Sequence, residues 1–532
     1  MAPAPRAWLW PGVFLACVGA AGVRSVLLGK DASWDLRNYH WYNPWALMNG
    51  RLGFDLAPAQ LQTYHNPLAD LPFYALVHAS AEPRMVAFAM GLPSAVAAFF
   101  LVRILALLFP FDRTRANGVA WVAAAAAIGL TGAAGTATWG TTMNEWPPAA
   151  LAMAALWLVM RAAIEGEDKR RFACAAASIL MGCAVGLKLT YAVFAVGLLL
   201  GCMAYGTVRA RLLRPLWSSV FMALGFLACY GWWGWILWGE FANPFFPYFN
   251  ATFQSPWWEP VDYFDRNFGP RDWKQWIFFP LYFAHRGALV SELELRDYRL
   301  AALLAAALAA WAVARYRNLR ENPSAAAPPP EPTAAAWRVL SIFTIASYVF
   351  WLQLFGIYRY LVPLELVSGA LIVGCMLYVF RRGRVRMAVV ALLAVALVAS
   401  TRPWDPGRIA FGDAYFDVKA PRLPERALVI VGYRHPMAYA IPFFGPGARF
   451  VSPANNLIAP GQRNRLAERA AALIRDHPGP RYLLEYKERN GHDERTLAHF
   501  GLVADDAACI PVRSSFDADH MRVCPLRAAG AR

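Results

Sequence analysis

Charge is scarce in this chain. Only 16% of its 532 residues are Asp, Glu, Lys or Arg, where soluble domains carry roughly a quarter. The eight cysteines form no CxxC pair and no zinc-ligand spacing. There is no nucleic-acid motif and no clear internal repeat. These absences exclude a disordered chain, a coiled coil, a zinc module and an ordinary cytosolic enzyme. What is present instead is apolar: 58% of residues are hydrophobic and mean hydropathy is +0.34. This composition implies a polytopic membrane protein with sizeable water-exposed parts. The 22 Trp, 21 Tyr and 33 Phe fit membrane interfaces and sugar-binding walls. The formal charge of +16 sits in short segments between apolar runs, which is a topology signal and not a nucleic-acid face.

The apolar runs predict about eleven transmembrane helices, over 8–29, 84–109, 119–139, 146–163, 172–187, 191–205, 216–238, 300–314, 339–355, 361–380 and 387–401. The first run is too long for a signal core and ends in no cleavage site, so it reads as an uncleaved span. Basic residues gather in alternate connections: Arg113 and Arg115; Arg161 and Lys169 to Arg171; Arg209, Arg211 and Arg214; Arg315, Arg317 and Arg320; Arg381 to Arg386. The short connection 140–145 has none. The positive-inside rule then puts the N-terminus in the cytoplasm and the loops 30–83 and 240–299 outside, in a bacterial-type inner membrane. The Pro/Ala stretch 322–335 reads as a cytoplasmic linker. Beyond residue 401 the composition turns soluble. A strand at 427–432, a helix at 463–477 and a strand at 481–486 predict a small extracytoplasmic α/β domain over 402–532, after a transmembrane module over 1–401. Cys509 and Cys524 are the only cysteines in that polar region, which suggests a disulfide in an oxidising compartment.

The first outer loop begins DASWDLRNYHWYNPWALMNG. Asp31 and Asp35 stand just past the first span, followed by Arg37, Tyr39 and His40. A carboxylate at a membrane–water boundary is placed to take a proton from a hydroxyl nucleophile. Asp35 reads equally as the cap of the helix that follows. Tyr39, Tyr42, Trp45 and Ala46 fall at helical spacing and predict a short amphipathic helix on the membrane surface. His40 and His65 lack ligand spacing and read as hydrogen-bonding residues. Asn243, Pro244, Phe246 and Pro247 predict a rigid turn in the second loop.

Four segments in order resemble one family. Asp35-x-x-x-Tyr39 leads the first-loop helix; YHNPLADLP follows, with His65 and Asn66; WGTTMNEWPP places Asn144 and Glu145 before the fourth span; GCAVGLKLT carries Lys188. This order looks like the GT-C glycosyltransferases, which include protein O-mannosyltransferases, the lipid A aminoarabinose transferase and polyprenyl-phosphate-mannose-dependent enzymes. Asn66 replaces a family Pro, and the usual acidic pair is spread over Asp31 and Asp35. The resemblance implies a GT-C-like helical fold. It also implies transfer of a sugar from a polyprenyl phosphate carrier to an acceptor hydroxyl, on a glycan, lipid or protein, with inversion following from direct displacement. It puts Asp35 first as base, ahead of Asp31 and Glu145. Lys188, and Arg359 beside Tyr360 in GIYRYLVP, would bind the donor phosphate; Lys188 also reads as a lysine snorkelling to the nearby interface, and Arg359 as a helix anchor. Glu145 would orient the acceptor or hold a divalent ion with Asp35; it also reads as the N-terminal acid of the fourth span. A flippase for lipid-linked sugars and a non-catalytic envelope assembly protein are the competing readings.

Overall fold

The computed structural model describes residues 8–109, 117–165, 167–263, 267–320, 331–433, 435–516 and 520–530. Among these, nine helices are long and apolar enough to cross a membrane, beginning with Leu9–Leu27, and two shorter apolar helices, Asn117–Leu130 and Leu189–Ala204, complete the bundle. At 1.5 Å per residue the 19 residues of Leu9–Leu27 reach about 28 Å, close to the thickness of a bilayer core. The chain is a helical polytopic membrane protein. Small residues let its helices touch. A Cβ on Gly369 would meet the Ala125 carbonyl and one on Gly129 the Leu366 carbonyl, so glycines on both helices of this pair admit the other's backbone.

Three segments depart from the sequence reading. The helix expected over 119–139 stops at Leu130, and a separate five-residue helix, Ala133–Ala137, follows. Its first amides turn to distant carboxylates: Ala133 N–H donates to Asp297 (2.9 Å), and Ala134 and Gly135 N–H donate to Glu365 (2.9 and 2.8 Å). The run expected over 216–238 is longer: helical residues continue from Val208 to Phe241, with one π turn at Leu227–Gly231. Arg209, Arg211 and Arg214 therefore lie on a helix and not in a connection. The 240–299 loop holds a helix, Trp273–His285, with Pro280 inside it. Residues 322–330 of the expected linker lie outside the described residues, and 331–335 begin the helix Glu331–Leu354.

After the last span the chain builds a seven-stranded mixed sheet. Leu428–Val431 pairs in parallel with Arg449–Val451 and Arg481–Tyr486. Met521–Ala528 is antiparallel to Arg481–Tyr486, Ile510–Ser514 and Leu502–Ala504, and Val418–Lys419 forms the far edge. Leu428–Val431 is buried throughout, as a central strand covered on both faces must be. The helix Arg465–Arg475 packs Leu466, Ala470 and Ile474 into this core. A disulfide joins Cys509 to Cys524.

The first loop is stitched to this sheet region. Lys30–Asp31 pairs antiparallel with Arg408–Ile409. Asp55 accepts from Phe450 N–H at 2.9 Å and is clamped by both Arg51 Nε and Nη2. The first-loop helix is present as a π turn, Leu36–His40, and an α-helix, Tyr42–Met48, but it does not lie on a membrane surface. Tyr39, Tyr42 and Ala46 are buried in a cluster with Tyr439, Ile441 and Phe416, and the Trp41 ring packs at a tilt against Phe416, with centroids 4.6 Å apart. The apolar face meant for lipid is covered by protein.

Candidate active site

Just beyond the first span, backbone pairing fixes Asp31 and Asp35 in different roles. Asp31 is consumed locally: Oδ1 accepts from Ser33 N–H (2.9 Å), and Oδ2 accepts from Thr142 N–H and Oγ1 (2.8 Å each). It ties the first loop to the 140–145 turn. Asp35 does not cap the helix. Ser33 does, with Oγ accepting from Leu36 N–H at 3.3 Å, and Asp35 makes no capping bond. Its buried carboxylate instead meets Arg359 Nη1 at 3.1 Å. Burial alone would raise the Asp35 carboxyl, but Arg359, helped by Lys188, holds it below its ordinary value.

Glu145 stands at the start of the helix Trp146–Ile164 with no capping bond of its own. Oε1 takes the Lys188 ammonium at 2.5 Å and lies 3.9 Å from Arg359 Nε; Oε2 is buried without a partner. Burial outweighs both cations and raises its carboxyl above the ordinary value. Lys188 sits in the break between the helices 167–187 and 192–201, in extended backbone, and also donates to the Met143 carbonyl at 3.2 Å. The break lets the ammonium leave the apolar helix and reach the cluster. Two carboxylates and two cations thus form one alternating group.

Lys188 and Arg359 line a cavity of about 360 Å³ with Tyr39, His40, His65, Asn66, Asn144 and Tyr360. Apolar residues including Leu354, Phe355, Phe246 and Phe249 complete the wall. Tyr360 presents its ring to both cations, 5.2 Å from Lys188 Nζ and 5.4 Å from the Arg359 guanidinium carbon. His65 Nε2 hydrogen-bonds Tyr248 Oη at 2.9 Å, and burial pushes its imidazole down to about 3, so it is neutral at physiological pH. Asn66 works structurally at the wall. Its amide donates to the Gly186 and Cys229 carbonyls (3.0 Å each), and its Oδ1 caps the turn Pro67–Asp70 through Leu68 N–H. Arg37 is half-buried on the π turn and is not part of the wall. Of the second-loop turn, Asn243 Oδ1 accepts from Phe245 N–H at 2.9 Å, and Phe246 reaches the cavity.

Asp70 is a site residue that the sequence reading passed over. Its Oδ1 meets His40 Nδ1 at 2.7 Å and accepts from Asn144 Nδ2 at 2.6 Å. His40 is buried, with Nε2 lacking a protein partner. A carboxylate holding Nδ1–H leaves Nε2 as a lone-pair acceptor at the cavity wall, suited to a hydroxyl. Asn144 adopts φ +56°, which turns the chain so that Asn144 and the neighbouring Glu145 both join the site.

Asp35 and Glu145 each face a side-chain cation, so this pair suits an organic anion's partners better than a divalent ion. Among the described residues one group of potential ligands is close enough to hold a metal: Glu485, Asp506, Cys509 and Cys524. There the cysteines are disulfide-bonded, and Arg489 and Arg522 hold the carboxylates.

Two solved structures share this arrangement of helices, first loop and terminal sheet over almost the whole chain. ArnT from Cupriavidus metallidurans bound to undecaprenyl phosphate aligns with a TM-score of 0.52 at 13% identity, covering 98% of each chain. The apo state of the same protein aligns with a TM-score of 0.51 at 13% identity, covering 99% of this chain and 100% of that one. Neither a protein-family model nor a curated protein matches the sequence. At this identity the likeness is one of fold.

Proposed function

We propose that the protein is a membrane glycosyltransferase that moves a sugar from a polyprenyl phosphate carrier to an acceptor hydroxyl on the outer side of the membrane. The observation that carries this reading is the pairing of Lys188 and Arg359 at the wall of one largely apolar cavity, beside two carboxylates. A lipid phosphate needs cations at its head and apolar walls near its tail. Two cations at one cavity wall need counter-charges, which Asp35 and Glu145 supply. A solved protein of the same fold carries undecaprenyl phosphate, which supports this class of donor.

In this reading the donor phosphate takes Lys188 and Arg359, and Arg359 leaves Asp35. The freed carboxylate, no longer held low by that guanidinium, accepts the proton of the attacking hydroxyl. The hydroxyl oxygen bonds to the anomeric carbon as the carbon–phosphate oxygen bond breaks, and the configuration inverts. The phosphate departs as an anion stabilised by two cations and needs no acid. His40, turned by Asp70 and Asn144, receives a substrate hydroxyl hydrogen at Nε2. The sugar and acceptor are set by residues around the cavity, and the sheet region after residue 402 is proposed as a separate extracytoplasmic domain.

The test is transfer from labelled polyprenyl-phosphate sugars by the purified protein, with and without Asp35→Asn. The reading expects transfer from at least one donor and its loss in the variant. Flipping of labelled carrier across vesicles without transfer would replace it with the transport reading.

A further inference from the structure

A second set of buried charges lies away from the cavity and has no part in the chemistry above. Arg299 is fully buried, and its Nη1 lies 3.1 Å from Asp297 Oδ2 and 3.9 Å from Glu365 Oε1. Two carboxylates against one guanidinium leave one excess negative charge. The first amides of the helix Ala133–Ala137 take it: Ala133 on Asp297, Ala134 and Gly135 on Glu365. Arg299 Nη2 also donates to the Thr131 carbonyl and to Thr401 Oγ1, at 3.1 Å each. One cluster therefore clasps the ends of five helices.

Two chain segments lead from it directly into the cavity site. Toward higher residue numbers from Ala133–Ala137, Trp139 packs edge-on against Trp146 at 4.8 Å, and the 140–145 turn between them ends at Glu145. On the other side, Tyr358 is fully buried within electrostatic reach of Asp297 and Glu365, and the next residue is Arg359. Buried ions are a costly way to join helices when apolar packing serves as well. What this joint adds is direction through its hydrogen bonds, since the helix amides on the two carboxylates and Arg299 Nη2 on Thr131 and Thr401 each fix an angle and a distance.

We infer that Asp297, Arg299 and Glu365 are positioning residues that set the placement of Arg359, and with it the phosphate grip. This rests on the reading that Arg359 binds a phosphate. The cluster touches no ligand itself. It acts through the Tyr358–Leu361 turn.

The test is binding of undecaprenyl phosphate to the full-length protein in lipid nanodiscs, arranged as double-mutant cycles. Asp297→Asn and Glu365→Gln keep shape and remove charge. Each is expected to weaken binding about 5- to 10-fold when Arg359 is present and to cause no further loss in an Arg359→Ala background. In a Lys188→Ala background the loss should persist in full. Thr401→Val trims one partner from Arg299 and is the gentlest variant; it decides the matter, with an expected loss of about 2- to 3-fold, should the carboxamides fail to fold. Wild-type binding in the variants that fold, or an equal loss with and without Arg359, overturns the inference. Unchanged binding in Arg359→Ala alone overturns the phosphate reading itself, and this outcome is separate from the other two.

Discussion

The cavity cluster and the closed cluster are both made of carboxylates and guanidinium or ammonium groups, yet they are built for different ends. In the cavity, Asp35, Glu145, Lys188 and Arg359 balance one another, and both cations reach a cavity wall. In the closed cluster every charge is tied to backbone amides, a carbonyl or a hydroxyl, and Arg299 sees neither cavity nor solvent. The first set is arranged to exchange partners. The second is arranged to keep them. Burial of charge alone therefore says little about function; what distinguishes the two is whether an incoming anion has a route to the cations.

The comparison breaks most plainly at Asp35. Asp35→Asn is expected to lower turnover about 10²–10⁴-fold with the fold intact; near-normal turnover would hand the base role to Glu145. In the closed cluster the loss should fall on stability instead. Glu365→Ala leaves Arg299 and two amides short of an anion and should cost about 3–5 kcal/mol, read as a lower midpoint in thermal or denaturant unfolding of the solubilised protein. Next come the cations. Arg359→Ala or Lys188→Ala should weaken undecaprenyl phosphate binding by about 10- to 100-fold, the worth of a charge-assisted hydrogen bond. Asp31→Asn is expected to reverse the Asp35 pattern. It sets an amide against Thr142 N–H and should cost about 1–3 kcal/mol of stability while turnover per folded molecule stays near normal.

The smallest effect lies outside both clusters. Burial pushes the Asp493 carboxyl up to about 6, above its ordinary value of about 3.9. Between these values the folded state holds a proton that the unfolded chain has released. Stability therefore falls as pH rises through that window and levels off above it. Amide exchange along the helix Gly491–His499 should quicken, beyond the intrinsic pH effect, between pH 4 and 6, and Asp493→Asn should remove that step.

Much of the bundle was legible because spans announce themselves by length. The apolar runs at 146–163, 361–380 and 387–401 match helices Trp146–Ile164, Val362–Val379 and Gly383–Ser400 within a few residues. The break at Thr131 was not legible, since the carboxylates that stop the helix come from residues 297 and 365. Lys188 was legible as a lone ammonium between apolar runs, and Glu365 carried the same signal as a lone acid in LVPLELVSGA. Asp70 sat inside a segment already singled out and was passed over, because its partners His40 and Asn144 are 30 and 74 residues away. The surface helix failed for a related reason. An amphipathic pattern tells that one face is covered, not what covers it, and here the cover is the sheet region nearly 400 residues later.

The pairing of Lys30–Asp31 with Arg408–Ile409 also sets an order of events in the making of the protein. The first loop leaves the ribosome early, long before its strand partner exists. During most of synthesis the loop that carries Asp35, His40 and Asp70 must wait beside a half-built bundle, its aromatic face uncovered. Only when residues 408–451 emerge does that face close and the cavity wall take shape. A nascent chain released before that point would leave that face uncovered and the cavity wall incomplete.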